Sequence, residues 1–302
     1  MPRKTNKSTS SKSTVRQPIA DKIIKKMRRQ IGAKVVDLSA VIEGKKNAEA
    51  LQETVASREE LVDLDPTHAL YVYAQNQTSV MVEQLTMLPE MNRLARLIGM
   101  AEEQYMPGGP PMSPLTTSFF TSWAFFDAGV GLARETPGTT TIAIGKTFGM
   151  HKELLHVIST MQDSRMGVYA HEGFSNGAIV LRELITDRTY RVTCPSGYDG
   201  RQGELWYVRI LPSLFAGEAE HIVLTTPYVL IEPAEHEWQA YFDRTLPQET
   251  PEKRIAAYEH HMKWGPSHDY WNEFVFEAYA NHRHEAIFLR GLPDRPESRP
   301  HS

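Results

Sequence analysis

At residue 166 the hydrophobic period of this chain changes from that of a helix to that of a strand, and after residue 232 it changes back. From GVYAHEG (167–173) to HIVLTTPYVLI (221–231) apolar residues recur at every second position. Tyr190, Val192 and Cys194 alternate with Thr189, Arg191 and Thr193, and Trp206, Val208 and Ile210 alternate with Tyr207 and Arg209. This is the pattern of strands that bury one face. Asn176-Gly177 lies between the first two runs, and that dipeptide supplies the positive φ angles of a tight hairpin turn. Five short strands with turns every eight to fifteen residues predict a small antiparallel β barrel or roll.

Both flanks read as helix. After Pro18, Ile19, Ile23, Met27 and Ile31 recur every four residues. Residues 45–105 read as further helices, with starts at Asp65-Pro66-Thr67 and at Pro89. Residues 148–162 follow, through Leu154, Leu155, Ile158 and Met161, and helical patterns return at 234–245, 251–263 and 266–282. One stretch departs from this: TTTIAI (139–144) is β-branched and predicts a strand. Elements segregated in this way point to an α+β fold. It comprises a helical N-terminal region, a five-stranded barrel or roll and a helical C-terminal region. The divisions are a disordered basic tail (1–17), a mainly helical domain (18–165), the β module (166–232), a C-terminal helical segment packed on the body (233–290) and a disordered tail (291–302). MPGGPPMSP (106–114) breaks the helical domain as a linker or rigid loop.

Charge is the second constraint. Residues 1–34 carry eleven Lys and Arg against one acid, Asp21, which leaves 22 bases and 36 acids for the rest of the chain. A net charge of −4 therefore conceals a basic arm on an acidic body, an asymmetry that points to an anionic partner for the arm. The tail has no apolar stretch of the secretory kind. Its Ser-rich, acid-poor composition fits either a cytoplasmic protein or an organellar import address. No apolar run reaches the ~20 residues of a bilayer helix, so no membrane span is expected. Cys194 alone excludes an internal disulfide and any multi-cysteine metal site.

Most motif-like stretches read as structure. Gly145-Lys146-Thr147 lacks the upstream glycine of a phosphate loop, because four residues before Gly145 sits Thr141 and one further Thr140. Gly197, Gly200 and Gly203 mark a long turn, with Asp199, Arg201 and Glu204 as ligand contacts in the alternative reading. Cys194 reads as a small buried hydrophobe, and Phe119, Phe120, Trp123, Phe125 and Phe126 as core.

Three functional readings follow. The leading one is a non-enzymatic nucleic-acid-associated or adaptor protein that binds DNA or RNA through residues 1–34. Lys22, Lys25, Lys26, Arg28 and Arg29 on a basic amphipathic helix would take the phosphates, without a cofactor. The second is a metal-dependent hydrolase. The last forty-three residues hold six of the twelve histidines, and Glu273, Glu277, His282 and His284 would be the ligands. Against it, no HExxH is present, and the adjacent His260 and His261 point ~100° apart on a helix. The third is a protein-interaction module in which 119–126 forms an exposed apolar patch. No catalytic residue is assigned, and the chain is not classed as enzyme or non-enzyme.

Overall fold

The first helix among the described residues is held at its N-terminus by a residue 116 positions away. The structure is a computed structural model that describes residues 17–32, 61–62, 64–106, 114–215, 217 and 219–295. The predicted tail at 1–17 (Gln17 apart), the stretch 45–60, most of the Pro/Gly break and residues 296–302 lie outside the described residues. In α1 (Ile19–Gly32) the amides of Ile19 and Ala20 donate to Oε1 of Glu135, at 2.7 and 3.3 Å. Helix N-termini present unpaired amides and partial positive charge, and this carboxylate answers both. Ile23 is fully buried against Met91, Leu94 and Val130, with Ile19 and Met27 beside it.

The other helices follow their caps. Asp65 accepts from the amides of Thr67 and His68 (2.9 and 3.1 Å), and α2 (Pro66–Thr86) begins there. A 3-10 turn at Pro89–Met91 leads into α3 (Asn92–Tyr105). In α4 (Thr117–Phe126) Phe119, Phe120, Trp123 and Phe126 are buried, so 119–126 is core and not the exposed patch of the third reading. The strand expected at 139–144 is instead the middle of α5 (Pro137–Phe148). Thr136 and Thr139 exchange side-chain bonds with each other's amides, Pro137 starts the helix and Gly149, at φ +84°, ends it. Caps at both ends outweigh the weak β preference of the threonines between them. After it comes α6 (Lys152–Asp163).

The β module is a closed five-stranded barrel. Its strands are β1 (Met166–Ser175), β2 (Ala178–Glu183), β3 (Thr189–Thr193), β4 (Leu205–Leu211) and β5 (Glu220–Val223). They pair in the order β1-β2-β3-β5-β4, and β4 returns to β1. The hairpin at Asn176-Gly177 forms as predicted, with Ser175 opposite Ala178 and both turn residues at positive φ. The barrel is mixed and not wholly antiparallel, because β3 and β5 run parallel. A sixth strand, β6 (Tyr228–Glu232), shares the open edge of β4 with β5.

After the barrel come α7 (Glu235–Thr245), α8 (Pro251–Trp264) and α9 (Tyr270–Ala278). The helix expected to run to 282 stops at Ala278. Residues 279–282 form β7, which pairs with β8 (Ile287–Arg290), and β8 joins β6 in parallel. The difference is tertiary: a four-residue strand gains its stability from a neighbour that local periodicity does not register. Residues 291–295, grouped with the tail by composition, continue the fold, with Leu292 buried and Asp294 paired to Arg244.

Helices cover the outside of β1 and β4, so those strands are buried on both faces. Trp206 and Val208 point into the barrel, while Leu205 and Tyr207 pack on the helices with Trp238, Trp271 and Phe274. Arg209 falls on the helix-facing side. Its side chain is 1% exposed, and it is paired with Asp127, the residue that ends α4, itself 5% exposed. Lys263 of α8 approaches the same carboxylate at 3.0 Å. Removing one member of such a group leaves an uncompensated buried charge. Asp127→Ala is expected to destabilise the protein by about 3–5 kcal/mol, read from its urea unfolding midpoint. A loss below about 1 kcal/mol, the value of a surface pair, would show the group to be peripheral.

Candidate functional site

Two surfaces carry unusual charge. The first is the outward face of α1. Docking through Ile23 turns Lys25, Arg28 and Arg29 to solvent, and they share one shallow groove with Asp21. Spacings of three and four residues put them on one side of the helix. Lys22 is half-buried, and Lys26 is drawn to Glu90 at 3.5 Å. Of the five predicted residues, Lys26 is thus neutralised, and Lys22, Lys25, Arg28 and Arg29 have no ion pair among the described residues. The arm is not a free appendage throughout: in α1 it packs on the body through Ile19, Ile23 and Met27.

The second surface is a cleft of about 400 Å³ between the start of β1, the β2–β3 turn and α8. Of the buried charge group, Lys263 reaches its lining. Lys263 Nζ donates to Asp127 Oδ1 (3.0 Å), the Gln162 carbonyl (2.6 Å) and the Ser164 carbonyl (2.7 Å), which engages all three of its protons. Burial pulls its pKa down, with Asp127 opposing, and the saturated ammonium is a fixed cation and not a nucleophile. Arg165 gives Nη1 and Nη2 to the fully buried Glu183 (2.6 and 3.2 Å) and lies over the Tyr258 ring. At the rim, Arg188 Nη1 donates to Glu259 Oε1 at 2.8 Å. Arg134, the neighbour of the residue that caps α1, stacks over Trp264 with its guanidinium 5.0 Å from the ring centre. One short loop therefore braces both surfaces.

The proposed metal ligands do not come together. Glu273 and Glu277 share an exposed face of α9, as their i, i+4 spacing requires, but line a pocket with Tyr270 and Arg290. His282 lies on β7, bonded through Nδ1 to the Tyr279 hydroxyl at 2.6 Å, and His284 lies in the following turn. His268 is paired with Asp269 at 2.8 Å. Among the described residues no three His, Cys, Asp or Glu side chains are grouped as metal ligands.

The remaining motifs are structural. Gly145 packs against Leu155 and Met150, inside a helix. Gly197, Gly200 and Gly203 all have positive φ, and Glu204 accepts from the Tyr198 hydroxyl and Trp206 Nε1. Burial raises the pKa of the Cys194 thiol, so it is not an activated nucleophile. Sequence reasoning missed the cleft. Its signal was an arginine and a glutamate, Arg209 and Glu183, at positions where the strands are buried on both faces.

His261 carries the clearest pH dependence. Burial, and then the nearby His260, lower its pKa to about 4. The neutral ring shares a hydrogen bond at Nε2 with the Tyr241 hydroxyl (2.6 Å), whose own pKa burial raises far above the ordinary value, and Tyr241 also contacts the Tyr270 hydroxyl (2.8 Å). The folded-state pKa lies below the ordinary 6.5, so the unfolded chain binds the proton first as pH falls. The stability contributed by His261 is complete above about pH 6.5 and is lost progressively down to about pH 4. His261→Gln should flatten the urea midpoint against pH across that window. A variant curve parallel to the parent's would refute the assignment.

No family model matches this chain, and no match was found among curated proteins or solved structures.

Proposed function

We propose that this protein binds nucleic-acid phosphates through the outward face of α1. The observation that carries the reading is the way α1 is held. Glu135 caps it and Ile23 anchors it, while Lys25, Arg28 and Arg29 face solvent on one side. A solvent-facing helix side is ordinarily polar, but here it is cationic, with Lys25, Arg28 and Arg29 against the one acid Asp21. A preordered cationic face loses less conformational entropy on meeting a phosphate backbone than a flexible tail does. The acidic remainder of the chain repels polyanions and so confines contact to this face and the basic residues before it. Such contacts position a backbone without reading bases, so the binding is expected to be insensitive to sequence. This is a binding role and requires no cofactor.

Deleting residues 1–34 is a poor test, because it uncovers the pocket of Ile23, whose burial contributes roughly 1.5–3 kcal/mol. The joint substitution Lys25→Gln, Arg28→Gln and Arg29→Gln removes charge from exposed positions and leaves the apolar stripe intact. Affinity for a duplex of arbitrary sequence should fall, and the slope of log K against log salt should drop by about 3 if each cation meets one phosphate. Unchanged affinity and slope with an unchanged circular dichroism spectrum would rule the reading out.

A further inference from the structure

We propose that the cleft between the β2–β3 turn and α8 binds a phosphate monoester, which displaces Glu259 from Arg188. This site is separate from the α1 face and does not depend on it. Oε1 of Glu259 sits between two guanidinium groups, 2.8 Å from Arg188 Nη1 and 3.7 Å from Arg165 Nη2. One oxygen between two arginines marks an oxyanion position, held here by the chain's own carboxylate. That carboxylate is a weak occupant: Glu259 is 39% exposed and Arg188 53% exposed, so water competes for both. Arg165, by contrast, is fixed by its two bonds to Glu183 and presents a rigid cation.

Arg165 and Lys263 are already matched by the buried Glu183 and Asp127, so the cation free to change partner is Arg188, held only by the half-exposed Glu259. A phosphate monoester carries close to two charges at neutral pH and three acceptor oxygens, against one charge and two oxygens for Glu259. It therefore outcompetes the carboxylate for a planar fork of donors. Tyr169, Tyr190 and Trp264 also line the cleft and give the organic part of an ester an apolar wall that inorganic phosphate cannot use. The ester is either a free small molecule or the terminal phosphate of a nucleic-acid strand, and the two share this chemistry.

Trp264 provides the readout. The other four tryptophans, Trp123, Trp206, Trp238 and Trp271, are buried, so a ligand in the cleft reaches only Trp264. The full chain would be titrated with adenosine 5′-monophosphate, adenosine and inorganic phosphate, following tryptophan emission. The monophosphate should give a saturable change, adenosine none, and inorganic phosphate weaker binding than the ester. Arg188→Gln should weaken the monophosphate by about tenfold or more, the loss of one charge-assisted hydrogen bond. Glu259→Gln should tighten it several-fold, because the competing carboxylate is gone. A 5′-phosphorylated oligothymidylate that competes where the unphosphorylated strand does not would identify a strand end as the source; no competition by either would identify a free ester. Equal responses to monophosphate and adenosine, inorganic phosphate binding as tightly as the ester, or both substitutions moving affinity the same way would each overturn the proposal. The triple α1 variant should leave this titration unchanged, so the two sites can fail separately.

Discussion

One buried carboxylate joins the three regions of this chain. Asp127 ends a helix of the N-terminal region, Arg209 lies on a barrel strand, and Lys263 closes a C-terminal helix. Arg209 Nη1 also reaches the hydroxyl and carbonyl of Ser164, and Lys263 reaches the carbonyls of Gln162 and Ser164. Carbonyls at the C-terminal end of α6 thus receive cations, where a helix favours them. A buried ion pair is weak evidence for net stability, because desolvation offsets attraction. Its directional bonds tie the end of α4, strand β4 and the end of α8 to one carboxylate. The cleft inherits its geometry from this group, since Lys263 is both the partner of Asp127 and part of the lining.

What was legible in the sequence depended on how local its cause was. The hairpin at Asn176-Gly177, the start at Asp65-Pro66 and the α1 stripe from Ile19 to Met27 were readable, because each is set within about ten residues, while Ile31, the last of the stripe, is exposed. TTTIAI misled because its β-branched content is local while the caps that decide its fate sit at Thr136 and Gly149. The parallel pairing of β3 with β5 joins strands distant in sequence, and the strand at 279–282 pairs with the nearby β8, which is itself held in parallel by the distant β6; periodicity contains neither long-range pairing. For the sites the same distinction holds. The cationic face of α1 was visible as spacing, but the loss of Lys26 to Glu90 was not. The Glu273, Glu277, His282 and His284 set was a cluster in sequence only, since a helix-to-strand change separates its halves.

Arg209 shows why the cleft escaped notice. In a strand that alternates Trp206, Val208 and Ile210 against Tyr207 and Arg209, the ordinary inference is that the second set faces water. That inference assumes one buried face. Here helices from both ends of the chain cover the barrel, and the second set is buried as deeply as the first. An arginine in such a place requires a carboxylate, and Asp127 is 82 residues away. An ion-paired charge under a helical cover is therefore a mark of fold topology before it is a mark of chemistry.

The same economy of position links the two candidate surfaces. Residues 130–135 form a tight turn bridged by reciprocal bonds between Val130 and Glu135, at 3.0 Å each. Gly129 lets it close, since a Cβ there would come within 2.9 Å of the Arg134 carbonyl. Glu135 then holds α1 by its first amides, and Arg134 holds the ring of Trp264 at the rim of the cleft. Neighbouring side chains thus brace a basic helix on one side and an aromatic wall on the other. Glu135→Ala, which removes the acceptor of the first two α1 amides while leaving Arg134 in place, should loosen α1 and leave the monophosphate titration of the cleft as it was. A titration that changes with it would show that the turn holds the aromatic wall as a unit and not through Arg134 alone.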